Sequence, residues 1–106
     1  MARVYSVQMF AGTAGPAAST LVTVPTGMVY VLRDFECSPD DESSPDWGRL
    51  YLSGPPGNPF VHTTHVAAEM TDQWQGRVVV NAGQSVRWVS ATRTYRLVLS
   101  GYSLFA

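Results

Sequence analysis

The chain has 106 residues, a formal net charge of −1 and 45% hydrophobic residues, which suits a single core and excludes a disordered, highly charged segment. No apolar run approaches the ~20 residues of a membrane-spanning helix. The start, Met1-Ala-Arg-Val-Tyr5, has no basic-then-apolar leader, so the expectation is a chain that begins at or next to Met1 and is made in the cytoplasm.

Apolar residues alternate with period two along the chain, and no segment sustains a helical stripe. Arg3–Phe10 is predicted as a strand with Tyr5, Val7 and Met9 on one face, followed by a small, flexible stretch through Ser19. Thr20–Val24 is a β-branched strand stopped by Pro25-Thr-Gly27, where proline fixes φ and glycine permits a left-handed turn. Met28–Cys37 is predicted as a central strand, with Val29, Val31, Arg33 and Phe35 on one face and Met28, Tyr30 and Leu32 on the other. Ser38–Asp46 is a polar, acidic loop, and Trp47–Ser53 returns as a strand ended by Gly54-Pro-Pro-Gly-Asn-Pro59.

Phe60–Glu69 reads as extended, with Val66–Met70 open to a helical turn. Trp74–Val80 and Ser85–Ser90 are predicted as a hairpin across the tight turn Asn81-Ala-Gly-Gln84, and Arg93–Phe105 closes the chain. About eight short strands at turn spacing predict an all-β protein. The expected form is a single antiparallel β-sandwich, jelly-roll or Greek-key-like, spanning 1–106. The face of Met28–Cys37 bearing Val29, Val31 and Phe35 is expected to be buried, with Trp88 and Leu97 in the same core.

Chemistry is scarce. Cys37, the one cysteine, excludes an internal disulfide and a thiolate cluster, and reads as a small buried hydrophobe. His62 and His65 fall on opposite faces of a strand and cannot chelate one ion together, so they read as loop-proximal polar residues. The run Asp40, Asp41, Glu42 and Asp46 lacks the spacing and distal glutamate of a calcium loop. There is no nucleophile elbow and no phosphate-cradling glycine loop before a helix. No enzymatic activity, metal or cofactor is expected. Seven arginines against eight acids leave no net basic footprint for nucleic acid, although Arg87, Arg93 and Arg96 form a local exception.

The charges are unevenly placed. All seven basic residues are arginine, and six of the eight acids fall between Asp34 and Asp46. Arginine tolerates partial desolvation better than lysine and is enriched at interfaces; a compositional bias of the genome explains the same count equally well. The candidate interaction surface is Asp40, Asp41, Glu42, Asp46, Trp47, Arg87, Arg93 and Arg96, with the acidic loop of one copy meeting the arginines of the next in a head-to-tail ring, a trimer being one closure. Trp74, in line with Val78 and Val80, and Trp88, in line with Val86, read as core, whereas Trp47 beside the acids reads as exposed.

Val24-Pro-Thr-Gly-Met-Val-Tyr-Val-Leu-Arg-Asp-Phe35, Trp74-Gln-Gly-Arg-Val-Val-Val-Asn-Ala-Gly-Gln-Ser85 and Leu99-Ser-Gly-Tyr-Ser-Leu104 together resemble small β-sandwich virion proteins of tailed bacteriophages infecting actinobacteria. The resemblance implies a virion location and a minor tail protein that binds other virion subunits, with no catalytic residues to carry over. A capsid decoration protein bridging major capsid subunits, and a glycan-binding module built on Trp47, are the alternatives. The residues themselves imply an interaction module.

Overall fold

The computed structural model describes residues 7–39, 46–54, 57–66 and 71–105. The alternating segments form eight strands: β1 (Val7–Ala14), β2 (Ser19–Thr23), β3 (Met28–Pro39), β4 (Asp46–Ser53), β5 (Phe60–Val66), β6 (Asp72–Asn81), β7 (Ser85–Ser90) and β8 (Tyr95–Phe105). They assemble into two four-stranded antiparallel sheets, ordered β1-β8-β3-β6 (sheet I) and β2-β7-β4-β5 (sheet II). The first strand pairs with the last, the second with the seventh, the third with the sixth and the fourth with the fifth. The β3–β8 and β4–β7 pairings then join these pairs into sheets. Such a rolled-up long hairpin is a jelly roll. No helix occurs among the described residues, and none is long and apolar enough to cross a membrane. Residues 67–70, part of the stretch in which the sequence also allows a helical turn, lie outside the described residues.

Three predicted features are corrected. First, Trp74–Val80 and Ser85–Ser90 do not form a hairpin. The turn at Asn81–Gln84 closes as expected, with Gln84 N–H donating to Asn81 O at 3.0 Å. However, β6 pairs with β3 in sheet I and β7 with β2 and β4 in sheet II, so the turn carries the chain between sheets. Val80 and Val86 thereby face each other's layer from opposite sides.

Second, the faces of β3 exchange midway. The register slips between Leu32 and Asp34 against both neighbours: the exposed Arg33 is the extra residue of a β-bulge against β8, whereas against β6 the extra residue lies on β6, where Gly76 and Arg77 oppose Arg33. Met28, Tyr30 and Leu32 face the core before the bulge, and Phe35 and Cys37 after it. Val29 and Val31 therefore lie on the outer face, opposite Leu104 and Tyr102 of β8. Val31 is nonetheless buried there. Third, the stretch expected to be flexible after Phe10 continues β1 to Ala14, because each small residue pairs with β8 and the Phe10 ring lies beside Gly12.

The core is built around Trp88, which is fully buried. Its ring centroid lies 5.6 Å from Phe35 of sheet I and 5.1 Å from Tyr95. Leu32, Leu50, Leu97 and Leu99 fill the space around the three rings. Phe35, Trp88 and Leu97 thus share one core, whereas Val29 and Val31, expected on the same buried face as Phe35, are not part of it.

Two polar clusters lie near Cys37, at one end of the core. Asp46, only 7% exposed, accepts from Thr92 N–H at 3.2 Å, Thr92 hydroxyl at 3.3 Å, Arg93 N–H at 3.2 Å and Tyr95 hydroxyl at 3.0 Å. It ties the start of β4 to the turn before β8. Burial and this carboxylate both push the Tyr95 hydroxyl well above the ordinary tyrosine pKa. At the edge joining β5 to β6, His62 Nε2 lies 2.7 Å from Asp72 Oδ2. Burial raises the Asp72 carboxyl, but the Thr64 hydroxyl and His62 outweigh it and hold the pKa below the usual carboxylate value.

Truncation of Phe35 to Ala is expected to cost ~3–5 kcal/mol of unfolding free energy, measured by urea denaturation; a cost below ~1 kcal/mol would contradict its central placement. Asp46→Asn sets an amide NH2 against donors on one side of the carboxyl group, so a loss of about 2–4 kcal/mol is expected in the same assay. Because the Asp72 pKa is depressed on folding, its contribution is present at neutral pH and is lost as pH falls through the folded pKa. Asp72→Asn should therefore lower the thermal midpoint at pH 7, and its midpoint should fall less than that of the parent protein on acidification below about pH 4.

Candidate functional site

The outer face of sheet II carries a row of side chains selected by simple alternation. On β4, Gly48, Leu50 and Leu52 point to the core, so Trp47, Arg49 and Tyr51 point outward. On β7, Val86 and Trp88 point inward, which leaves Arg87 and Val89 on the same outer face. Arg87 pairs across strands with Tyr51, and Tyr51 with Phe60 of β5.

These residues form a cationic, aromatic shelf. The Arg49 guanidinium carbon lies 4.8 Å from the centroids of both Trp47 and Phe60. That of Arg87 lies 6.0 Å from the Tyr51 centroid, at the outer limit of a cation–π contact. Phe60 is 61% exposed. The Nε atoms of Arg49 and Arg87 are buried without a hydrogen-bond acceptor, an arrangement that strands a strong donor in each case. Arg49 pairs with Val89, two residues from Arg87, so the two arginines are diagonal neighbours with Cα atoms ~7–8 Å apart. The outer positions of sheet II contain no carboxylate among the described residues.

The opposite side of the sandwich differs. A groove of about 180 Å³ on the outer face of sheet I is lined by Asp34, Glu36, Gln73, Gln75, Val98 and Ser100, together with Phe35 and Trp74. The bulge at Arg33 creates it, since it turns both acids outward while Phe35 stays in the core. Beyond the bulge, Val29, Val31, Val79, Tyr102 and Leu104 make an apolar patch, with Val79 and Leu104 48% and 42% exposed.

The residues singled out from the sequence are divided by the fold. Trp47 and Arg87 are together on the outer face of sheet II. Arg96 is exposed on the outer face of sheet I. Asp46 and Arg93 are both buried, and the Arg93 backbone N–H donates to the Asp46 carboxylate at the turn before β8. Asp40, Asp41 and Glu42 lie outside the described residues. Arg49, Tyr51 and Phe60 were missed, although the alternation Trp47-x-Arg49-x-Tyr51 against Gly48-x-Leu50-x-Leu52 would have marked two of them.

The remaining reactive groups are committed elsewhere. His62 faces inward to Asp72 from within β5 and is no loop residue, while His65 is exposed on the other face of that strand, opposite Trp47. No group of three or more His, Cys, Asp or Glu residues able to hold a metal occurs among the described residues. Cys37 is buried, and burial, with Asp72 nearby, pushes its thiol up to about 12, so it stays protonated and unreactive at neutral pH.

No protein-family model matches the chain, and no curated protein is similar to it. Among solved structures, it is similar to a pentameric capsid protein isolated from metagenomic phage sequences, with a TM-score of 0.52 and 11% identity over 88% of this chain and 59% of that one. It is also similar to a chain in the structure of infectious bursal disease virus, Gx strain, with a TM-score of 0.51 and 12% identity over 98% of this chain and 32% of that one. The chain spans less than two thirds of the length of either. At such identities the likeness is one of fold: an antiparallel jelly-roll sandwich shared with two viral structures.

Proposed function

We propose that the chain is a non-enzymatic structural protein of a virus particle, and that it works by binding other virion subunits through the outer faces of its two sheets. The observation that carries this reading is the shelf on sheet II. It places two arginines and three aromatic rings on one face, and such residues dominate the energetics of protein interfaces. The interior supports it from the other side, because Trp88, Phe35 and Tyr95 fill the space between the sheets where a ligand chamber would otherwise lie.

The expected tail location and its decoration-protein alternative share this reading and differ in where the faces dock. Similarity of fold to a pentameric capsid protein favours the capsid. A glycan platform on Trp47 is disfavoured, because the Arg49 guanidinium already lies over that ring, where a pyranose would stack.

Quantitative mass spectrometry of purified particles of the virus that encodes the chain tests the proposal. Hundreds of copies per particle are expected for a capsid component, and tens or fewer would place it in the tail. Absence from particles that otherwise carry their full set of structural proteins would overturn the virion assignment altogether.

A further inference from the structure

The outer face of sheet I is divided along its length. At one end Val29 and Val31 of β3 stand beside Leu104 and Tyr102 of β8, with Val79 of β6 next to them. Val79 and Leu104 are exposed, and Val29 and Tyr102 are half-buried. At the other end β3 turns out Asp34, Glu36 and Ser38, level with Ser100, Val98 and Arg96 of β8. The acids at this end therefore lie on β3 and the cation on β8. Two further arginines, Arg33 and Arg77, sit where the register slips, beside Asp34. None of these charged groups is in an ion pair among the described residues.

We propose that sheet I docks face to face on sheet I of a second copy, about a two-fold axis that runs along the strands between β3 and β8. This rotation lays β3 of each copy over β8 of the other and keeps the two ends of the face apart. Leu104 then meets Val29 and Tyr102 meets Val31, so apolar covers apolar. At the other end the Ser100 hydroxyl donates to Asp34 of the second copy. Arg96 reaches Glu36 of the second copy across one outward position, ~6.5–7 Å along the strand, where a charge-assisted pair forms. Arg33 comes over the stretch from Ser100 to Tyr102, and Arg77 over the β1 edge, and neither place carries a charge among the described residues. No like charges are opposed. An axis across the strands would instead set the apolar end on the acids, or leave half of each face uncovered. The mixture of acids and arginines on this one face is thus matched by the same face turned over.

The four strands of sheet I average about ten residues, so the face covers roughly 650 Å² in projection at ~4.8 Å strand spacing and ~3.3 Å rise. Two such faces reach the lower end of the ~1,200–2,000 Å² total of a standard interface. Sheets that stack with their strands roughly 30° apart are ordinary packing. The contact is isologous and closed, so association stops at two copies. Both sheet II shelves then face away from the dimer, open to other subunits. Dimerisation deepens the proposed function and rests on its reading of the outer faces as binding surfaces. The two fail separately, because dimerisation is read on the purified chain and particle incorporation is not.

Sedimentation equilibrium on the purified chain is the test. The weight-average mass is expected to rise with concentration and to level off at two copies. Leu104→Asp, at an exposed site, should weaken dimerisation more than about tenfold. Glu36→Arg and Arg96→Glu should each weaken it about fivefold or more, since each sets like charges together at both symmetric positions. All three variants should keep the far-UV circular dichroism spectrum of the wild type. An equimolar mixture of Glu36→Arg and Arg96→Glu should dimerise again, because the mixed pair sets an acid against an arginine at both positions. Pairing of Glu36 with Arg96 inside one chain gives no such rescue. A wild-type chain that stays monomeric up to about 1 mM, as it would if a different subunit covers this face, would overturn the proposal. So would a mass that climbs past two copies, a Leu104→Asp variant that dimerises like the wild type, or a mixture that associates no better than either charge variant alone.

Discussion

The two sheets are held in register by one large side chain. Trp88 projects from β7 into the middle of the sandwich, and its neighbours are chosen to leave room for it. A Cβ on Gly48, the adjacent position of β4, would collide with the six-membered ring of Trp88. The interior is close-packed, so a misfit of one methyl group propagates to every layer around it. Phe35 and Tyr95 then meet the indole at tilted and edge-on angles of 44° and 64°, the geometries that aromatic quadrupoles favour. The outward set on β4 follows directly, because once Gly48 and Leu50 are fixed toward Trp88, Trp47, Arg49 and Tyr51 have nowhere to point but solvent.

Much of the fold was legible in the sequence. Period-two alternation located all eight strands, and Pro25-Thr-Gly27 marked a real turn in which Gly27 adopts φ of +82°. Alternation failed at Arg33, because a bulge inserts a residue without leaving a compositional trace in a β-branched run. The pattern reads equally well with Val31 or Leu32 toward the core. The turn at Asn81–Gln84 misled for a different reason. A tight turn fixes chain reversal, not the sheet to which each arm belongs, and partners from distant parts of the sequence decided that here.

The candidate site was only partly legible. Trp47 and Arg87 could be picked out from composition and placement, but that Arg87 stands opposite Tyr51 on the strand carrying Trp47 is visible only once β4 and β7 are paired. Asp46 and Arg93 looked like surface charges because charged residues usually are. Asp46 instead satisfies a set of donors at a turn formed nearly fifty residues later in the chain, a use of charge that no local pattern announces. Glu36 and Asp34 were counted among the acids, yet their common direction depends on the same bulge that defeated the alternation.

The nesting of strand pairs also constrains how the chain reaches its native state. Only β4 and β5 are neighbours both in sequence and in a sheet; every other strand waits for a partner further away, and β1 must wait for β8. Closing the smallest loop first costs the least entropy, which favours growth outward from the middle of the chain. As the chain leaves the ribosome, β1, β2 and most of β3 therefore emerge with unsatisfied edges and apolar faces, and their partners are made last. High contact order of this kind slows folding. It also gives nascent copies a period in which their strands can pair with one another instead of with themselves.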